Sequence, residues 1–355
     1  MQKLYSSSKF LTLVLLLFVA SGCRKKIDFT EGDRIEEGWL SQNGTYYEPW
    51  LTVPTPGIID ITLIEQDYNG IYFTGVKSGI RRVFYLEGEN LPSTIWIGNS
   101  AAIAAGEYTA LVFSAPNMYI ANNVLPYAKL RIYSNPSNGV EFTFNLGGNK
   151  ITDIKSIGND MYVSGDFTVQ SGPFPASSYF DKVDKTTGYF LGMTGLEAPA
   201  EAQCNGILGF FACGKNVHSG RSIANWDGSQ WIPYTSLTQR VTDVEMLGDT
   251  LMIAGDLPNG KAIMKENNGF ENPFDDLINT APSEAETNIK FLRSGQVIYA
   301  YGTVNFQDYT FFSVLKYEEG KWSYVGRLNE IPIDLAILDG YLYATTASGI
   351  KKIQV

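Results

Sequence analysis

The residues of this chain that could perform chemistry are few, and most of them are carboxylates. His218 is the only histidine, so a metal site built from several histidines is excluded. A Ser-His-Asp triad would have to use this one residue, and no nucleophile motif accompanies it. The P-loop, the dinucleotide-binding GxGxxG and the CxxC pattern are absent as well. Hydrogen bonding, cation binding and acid–base chemistry by aspartates are what remains.

Carboxylates and aromatic rings occur in segments that are predicted to be loops. Two aspartates each follow an apolar strand that ends in glycine, and another lies in the irregular segment 271–287. These carboxylates are candidates for binding a sugar or a cation such as Ca²⁺, and the rings offer stacking surfaces. The alternative is that the aspartates are solvated or cap turns, where Asp is a preferred residue. The candidate ligand-binding residues are Asp166, Phe174, Asp256, Asp276 and Tyr301.

Two of the three cysteines flank a short predicted hairpin, CNGILGFFAC, at 204–213. If Leu208-Gly209 is its two-residue turn, Cys204 lies opposite Cys213. Directly opposed residues have Cβ atoms about 4.5–5.5 Å apart, against a mean of about 3.8 Å in a disulfide. A slightly strained bond is therefore within reach, and the alternative is two buried, reduced thiols.

The elements that position these residues come from a repeat. The segment ITDIKSIGNDMYVSGDF, 151–167, is echoed by VTDVEMLGDTLMIAGDL, 241–257. Each consists of an apolar strand, a tight turn and a second apolar strand that ends in Gly-Asp. Aligned copies recur 41–49 residues apart, a period typical of a β-propeller. The second strands of these copies end at Gly75, Asn122, Gly165, Gly214, Gly255, Gly302 and Thr346.

A third and a fourth strand can be identified after most of these hairpins. In RSIANWDGSQWIPY, 221–234, the dipeptide Asp227-Gly228 predicts a turn between two strands. The segments SGDFT (164–168) and IANWDGSQW (223–231) resemble a bacterial propeller repeat related to kelch and WD-type blades. That resemblance implies an all-β β-propeller, with seven blades of four antiparallel strands. It implies no activity, since propellers host many functions.

Both ends of the repeat region are incomplete. The segment 44–53 is strand-like but has no hairpin partner, and the last repeat stops after three strands. We therefore expect Tyr46, Tyr47 and Trp50 to lie in a strand that pairs with 350–355 and closes the ring, because an unpaired edge invites aggregation. Irregular segments 171–178 and 271–287 should emerge on one end of the ring, where loops on a rigid scaffold bind ligands.

The N-terminus predicts an exported protein. Lys3 and Lys9 precede the apolar run FLTLVLLLFVA, which is too short to span a bilayer. The run ends in Ala-Ser-Gly-Cys at 20–23, which resembles a bacterial lipoprotein cleavage box. This resemblance implies a signal peptide at 1–22, a lipid on Cys23 and an outer-membrane location, with 23–43 as a tether to the propeller domain at 44–355. The alternative is an ordinary secretory signal with a chance cysteine.

The composition restricts the partners. The formal net charge is −10, which argues against nucleic acid and against electrostatic adhesion to anionic lipid. The expected partners are the membrane, through Cys23, and an envelope protein or glycan, while the oligomeric state stays open. We expect a binding or scaffolding module without a required cofactor. The alternatives are a carboxylate-dependent enzyme acting on glycans at the loop end, and a purely structural envelope component.

Overall fold

The computed structural model describes most of the repeat region. It covers residues 39–40, 46–87, 92–95, 107–114, 117–124, 127–133, 141–169, 177–185, 189–258, 261–266, 270–271, 288–303 and 314–355. The chain divides into a unit ending at Tyr46 and a compact unit at Tyr47–Val355. Cys23, Phe174 and Asp276 lie outside the described residues.

The described strands belong to antiparallel sheets, and no α-helix occurs among these residues. Besides a short two-stranded sheet there are six sheets, of which four have four strands each. The strands in chain order begin with β1 (Trp39–Leu40), β2 (Tyr46–Tyr47) and β3 (Leu51–Val53). A five-stranded sheet contains β4 (Ile58–Ile59), β5 (Ile64–Gln66), β6 (Ile71–Lys77), β7 (Ile80–Leu86) and β8 (Ser93–Ile95).

The next sheet has six strands: β9 (Glu107–Ser114), β10 (Asn117–Val124), β11 (Tyr127–Tyr133), β12 (Glu141–Ile157), β13 (Asp160–Val169) and β14 (Ser177–Asp184). Three regular four-stranded sheets follow. They are β15 (Ala200–Gly206), β16 (Gly209–His218), β17 (Arg221–Trp226) and β18 (Trp231–Pro233); β19 (Val241–Leu247), β20 (Thr250–Leu257), β21 (Lys261–Glu266) and β22 (Phe270–Glu271); and β23 (Asn288–Ser294), β24 (Val297–Thr303), β25 (Val314–Glu318) and β26 (Lys321–Tyr324).

The last sheet closes the fold with a strand from the other end of the chain. It consists of β27 (Asp334–Leu338), β28 (Tyr341–Thr346), β29 (Gly349–Gln354) and β3. Val53 pairs with Ile350, and Leu51 pairs with Lys352. The prediction that an N-terminal strand completes the last repeat is therefore confirmed.

The prediction was wrong about which residues make that pairing. Tyr46 and Tyr47 form β2, which is not part of the closing sheet. Trp50 precedes β3 and is buried, and its indole nitrogen donates a hydrogen bond of 2.9 Å to the Val325 carbonyl. The pairing is shorter than expected because the residues before Leu51 pair elsewhere: Pro49 forms a bridge with Arg327, and the Trp50 nitrogen donates to the Arg327 carbonyl.

The number of sheets also differs from the expectation of seven separate blades. Strand β12 is 17 residues long and pairs with β11 through residues 141–146 and with β13 through residues 147–157. The sequence assigned these partners to two different repeats. Because one continuous strand serves both, six sheets are present where seven were predicted.

The core consists of apolar layers between adjacent sheets, as expected for radially packed sheets. One such layer joins side chains of β15–β17 to side chains of β19–β21, including Phe211, Ile223 and Ile253, none of which is exposed. Another joins the closing sheet to the five-stranded sheet through Ile350, Phe73 and Tyr343. Each sheet is therefore stabilised by its neighbours.

A glycine in the later part of several second strands is required by close packing of the backbone. Gly165 and Gly255 have φ values of 151° and 154°, and Gly302 has a φ of 119°. A Cβ at these positions would clash with the backbone carbonyl of the facing innermost strand, for example that of Lys150 opposite Gly165. The repeated glycine permits this close approach.

The cysteine hairpin has a different register from the predicted one. Gly206 pairs with Gly209 around an Ile207-Leu208 turn, so Cys204 lies opposite Phe211 and Cys213 opposite Ala202. The two cysteines are thus diagonal neighbours, a relation with a separation of about 7–8 Å, beyond disulfide reach. Both are buried free thiols, so the predicted opposition of Cys204 and Cys213 is wrong, and the structure has the arrangement given as the alternative, two reduced thiols.

Candidate functional site

The candidate site is a central channel with a volume of about 390 Å³. Its walls are the innermost strands β5, β9, β12, β15, β19, β23 and β27, together with Tyr301 of β24. Five of these strands, β5, β12, β15, β19 and β27, each contribute one carboxyl side chain to the lining. The titratable lining residues are Glu65, Asp153, Lys155, Glu201, Asp243, Lys290, Tyr301 and Asp334.

A β-bulge in several innermost strands directs a threonine toward the next strand of the ring. The register of β12 shifts between Ile151 and Asp153, and that of β19 shifts between Val241 and Asp243. The inserted residues are Thr152 and Thr242. Their hydroxyls donate to the carbonyls of Ala200 and Ile289, at 2.6 Å and 2.9 Å.

The aspartates near these bulges accept hydrogen bonds from the backbone of the next innermost strand. Asp153 accepts from the Gln203 nitrogen at 3.1 Å, and Asp243 from the Phe291 nitrogen at 2.6 Å. Asp334 completes the pattern between the last and first sheets, since it accepts from the Ile64 nitrogen at 3.1 Å. These three carboxylates therefore hold neighbouring innermost strands together.

The other charged residues of the channel take less part in joining the strands. The Lys155 ammonium is 3.9 Å from a carboxylate oxygen of Glu245, and its side chain is 37% exposed. Lys290 faces the charge of Asp334, and Glu65 is half-buried close to both Asp334 and Lys155. Glu201, in contrast, is bound in a bidentate pair by Arg240, with both distances 2.6 Å.

Burial shifts the pKa values of several channel groups. It raises the pKa of Glu65 from 4.5 to about 8, and the nearby Asp334 charge contributes to that increase. Burial also raises the pKa of Asp243 to about 7, against the opposing effect of Lys155. Burial would lower the pKa of Lys155, but the charges of Asp153, Glu245 and Asp243 outweigh it and raise that pKa. Near neutral pH the channel therefore contains an undissociated carboxyl group beside a charged amine.

A smaller groove of about 180 Å³ adjoins the channel. It shares Lys290 and Tyr301 with the channel, and its outer wall includes Ile331 and Ile333, which are 55% and 38% exposed. Because these residues lie where β23 and β27 begin and β24 ends, the groove opens at the loop end of the ring. Its apolar wall and the polar channel meet at Tyr301.

The structure places the sequence-predicted residues in different environments. Tyr301 lines the channel, but only 4% of it is exposed, and its hydroxyl donates to Asp334 at 2.8 Å. Asp166 and Asp256 are half-buried and directly follow the glycines at positions 165 and 255 of β13 and β20. Because each glycine pairs with the start of an innermost strand, both aspartates lie at the loop end, as expected, but neither lines the channel.

Sequence reasoning missed the charged channel residues Glu65, Lys155 and Lys290. A signal for their neighbourhood was present, since Thr-Asp recurs at 152–153 and 242–243. The charged residue two positions after each aspartate, Lys155 or Glu245, belongs to the same strand face. That spacing could have indicated a ring of charges.

No group of three or more His, Cys, Asp or Glu side chains in the described ranges has a geometry that could hold a metal ion. Within the same part of the chain, no helix is long and apolar enough to cross a membrane.

Comparison with known proteins gives a fold but no family. No protein-family model and no curated protein matches the sequence. The WD40 β-propeller domain of Doa1 has a similar structure, with a TM-score of 0.54 and 12% identity, over 87% of this chain and 96% of that one. The chain folds as a WD40-like β-propeller. The computationally designed Ika8 protein is similar too, with a TM-score of 0.51 and 13% identity over 83% of each chain.

Proposed function

We propose that this propeller is a lipid-anchored, extracytoplasmic binding or scaffolding module of the outer membrane. Its ligand, a protein or a glycan, is held at the loop end and reaches into the channel. The supporting observation is that Lys155, Lys290 and Glu65 line the channel, and that the Lys155 ammonium lies as far as 3.9 Å from its carboxylate partner Glu245. Polar groups of this kind are costly to keep in a cavity unless they meet a ligand or water.

A binding test compares the two ends of the ring. The soluble segment 27–355 is titrated with glycans and with purified envelope proteins. Asp166→Ala and Asp256→Ala, at the loop end, should weaken binding while leaving the unfolding temperature nearly unchanged. Asp249→Ala is the matched control, because this exposed aspartate lies in the turn between β19 and β20 at the opposite end. Loss of binding from the control alone would contradict this placement.

The anchor has its own test. Cys23 is proposed to carry at least two acyl chains, since one saturated chain gives only marginal membrane binding. Cys23→Ala should move the protein from the membrane fraction to the soluble fraction. Retention of the variant in the membrane, with uncleaved precursor as the main wild-type species, would overturn the lipoprotein proposal.

A glycan-active enzyme is the second candidate. It is favoured by the raised pKa of Glu65, about 8, because a general acid must hold its proton near neutral pH. Under this alternative, Glu65→Gln should abolish turnover of a glycan but retain its binding. Binding without turnover by the wild type supports the binding module instead.

We also propose that the six-stranded sheet contains two repeats, so that six sheets carry seven repeats. Support comes from Thr109 and Thr152, which are both bulge residues and both donate to the next innermost strand, at 2.5 Å to Ile151 and 2.6 Å to Ala200. An experimental structure with a bend in β12 near Gly147 would agree. A flat six-stranded sheet would contradict it.

A further inference from the structure

The channel combines many hydrogen-bonding groups with side chains of both signs of charge. Glu201 is paired with Arg240, and two further carboxyl side chains, Asp153 and Asp334, line the channel with two amines, Lys155 and Lys290. Burial raises the pKa of Glu65 to about 8 and that of Asp243 to about 7, which reduces the negative charge near neutral pH. Acidic and basic groups are thus both present, and neither sign dominates the lining.

This balance selects against charged ligand groups. A cation would compete with Lys155 and Lys290 for the carboxylates, and an anion would be repelled by Asp153 and Asp334. An apolar ligand would displace water from polar groups and leave them unpaired. A neutral ligand that both donates and accepts hydrogen bonds meets none of these costs.

We infer that the channel binds a neutral saccharide, with Glu65, Lys155 and Lys290 hydrogen-bonded to its hydroxyl groups. This inference rests on the proposed binding function and specifies its ligand class. The volume of about 390 Å³ lies within the range of about 300–1,000 Å³ for small-ligand sites. Leu63, Phe291 and Leu292 also line the channel and provide apolar surface for the C–H face of a sugar ring.

The decisive experiment is a calorimetric titration of the soluble chain with three matched sets of oligosaccharides: neutral, uronic-acid-containing and amino-sugar-containing. The neutral set should bind, and each charged counterpart should bind about tenfold more weakly or worse. Lys290→Met and Glu65→Leu should each weaken neutral binding by about 10- to 100-fold, the effect of losing a hydrogen bond to a buried polar or charged group. Lys182→Met is the control, because Lys182 pairs with Asp160 outside the channel.

Glu65→Gln separates a direct role from a structural one, because an amide keeps the donor and the acceptor. Its affinity at pH 6 should stay within about threefold of the wild type. The groups facing Glu65 are Asp334 on β27, Lys155 on β12 and Tyr72, its partner on β6. Wild-type affinity should fall above pH 8 as the carboxyl group ionises, whereas the affinity of Glu65→Gln should not.

Tighter binding of either charged set would overturn the inference, and so would unchanged neutral binding in both Lys290→Met and Glu65→Leu. Absence of all saccharide binding, with an envelope protein bound at the loop end, would also overturn it and leave the proposed binding function intact. Circular dichroism of each variant shows that it is folded, and Lys290→Gln replaces any variant that is not.

Discussion

The Asp243 carboxylate on β19 accepts a 2.6 Å hydrogen bond from the backbone nitrogen of Phe291 on β23, and so joins two sheets of the ring. A second oxygen of the same carboxylate accepts from the Val244 nitrogen at 2.8 Å. Asp153 and Asp334 make the equivalent link elsewhere. The sheets are therefore joined near the axis by carboxylates, in addition to the apolar layers between them.

Asp243→Ala should destabilise the protein by about 2–4 kcal/mol, because it leaves the buried Phe291 nitrogen without its acceptor. Chemical denaturation with urea measures this loss. Asp249→Ala removes an exposed aspartate from the same hairpin and should change stability by less than about 0.5 kcal/mol. Equal stabilities of the two variants would show that the link between sheets is energetically unimportant.

Removal of residues 27–53 should promote aggregation, because it takes away β3 and exposes the edge of β29. It also removes Trp50, whose indole bonds the Val325 carbonyl. Removal of 27–43 alone keeps both features and serves as the control. Light scattering after size-exclusion chromatography distinguishes the two. A monomeric 54–355 chain as heat-stable as the control would contradict the role of β3.

The raised pKa of Glu65 predicts a pH-dependent stability. Between about pH 4.5 and 8 the folded state holds this proton more often than the unfolded state, so stability falls as pH rises through that window. Glu65 contributes its full stabilisation below the pKa that it has in the unfolded state, 4.5. In Glu65→Gln the decrease in the free energy of unfolding across this window should be smaller by roughly 1–2 kcal/mol.

Melting temperatures of both proteins at pH 5, 7 and 9 provide the measurement. Asp243 titrates in part of the same range, so the difference between wild type and variant is the relevant quantity. Parallel curves for the two proteins would mean that Glu65 is ionised at its ordinary pKa.

Cys204 and Cys213 should be free but unreactive in the native protein. Burial raises the pKa of both thiols well above the ordinary value, and only a thiolate reacts readily. Iodoacetamide should modify neither residue in buffer and both in denaturant, as intact-mass analysis would show. A mass lower by two hydrogens that resists alkylation in denaturant would mean that a disulfide forms.

Most of the fold could be predicted from the repeat, because its strand–turn–strand pattern depends on local chemistry. The hairpins of 151–167 and 241–257 have the expected strands, and Ile154 lies opposite Val163. The register of the cysteine hairpin was harder, because its turn is Ile207-Leu208 and not Leu208-Gly209. The Asp227-Gly228 turn lies between β17 and β18 as predicted, and Asp227 accepts from the nitrogens of Ser229 and Gln230.

The candidate site was harder to predict from the sequence. Residues of the channel come from innermost strands far apart in the chain, such as Glu65 and Lys155, so no local spacing brings them together. Tyr301 was chosen as a loop-end ring and lies at the channel instead. The continuity of β12 could not be foreseen either, since two adjacent repeats normally end and begin separate strands.

The most direct test of the account is hydrogen–deuterium exchange of the soluble chain with and without the saccharide or envelope protein that the binding screen identifies. A ligand held at the loop end and in the channel should slow exchange in β5, β23 and β27, next to Glu65, Lys290 and Asp334. Slower exchange confined to the outer strands β18, β22 and β26, with no change in the innermost strands, would contradict the proposal that this propeller binds its ligand at the channel.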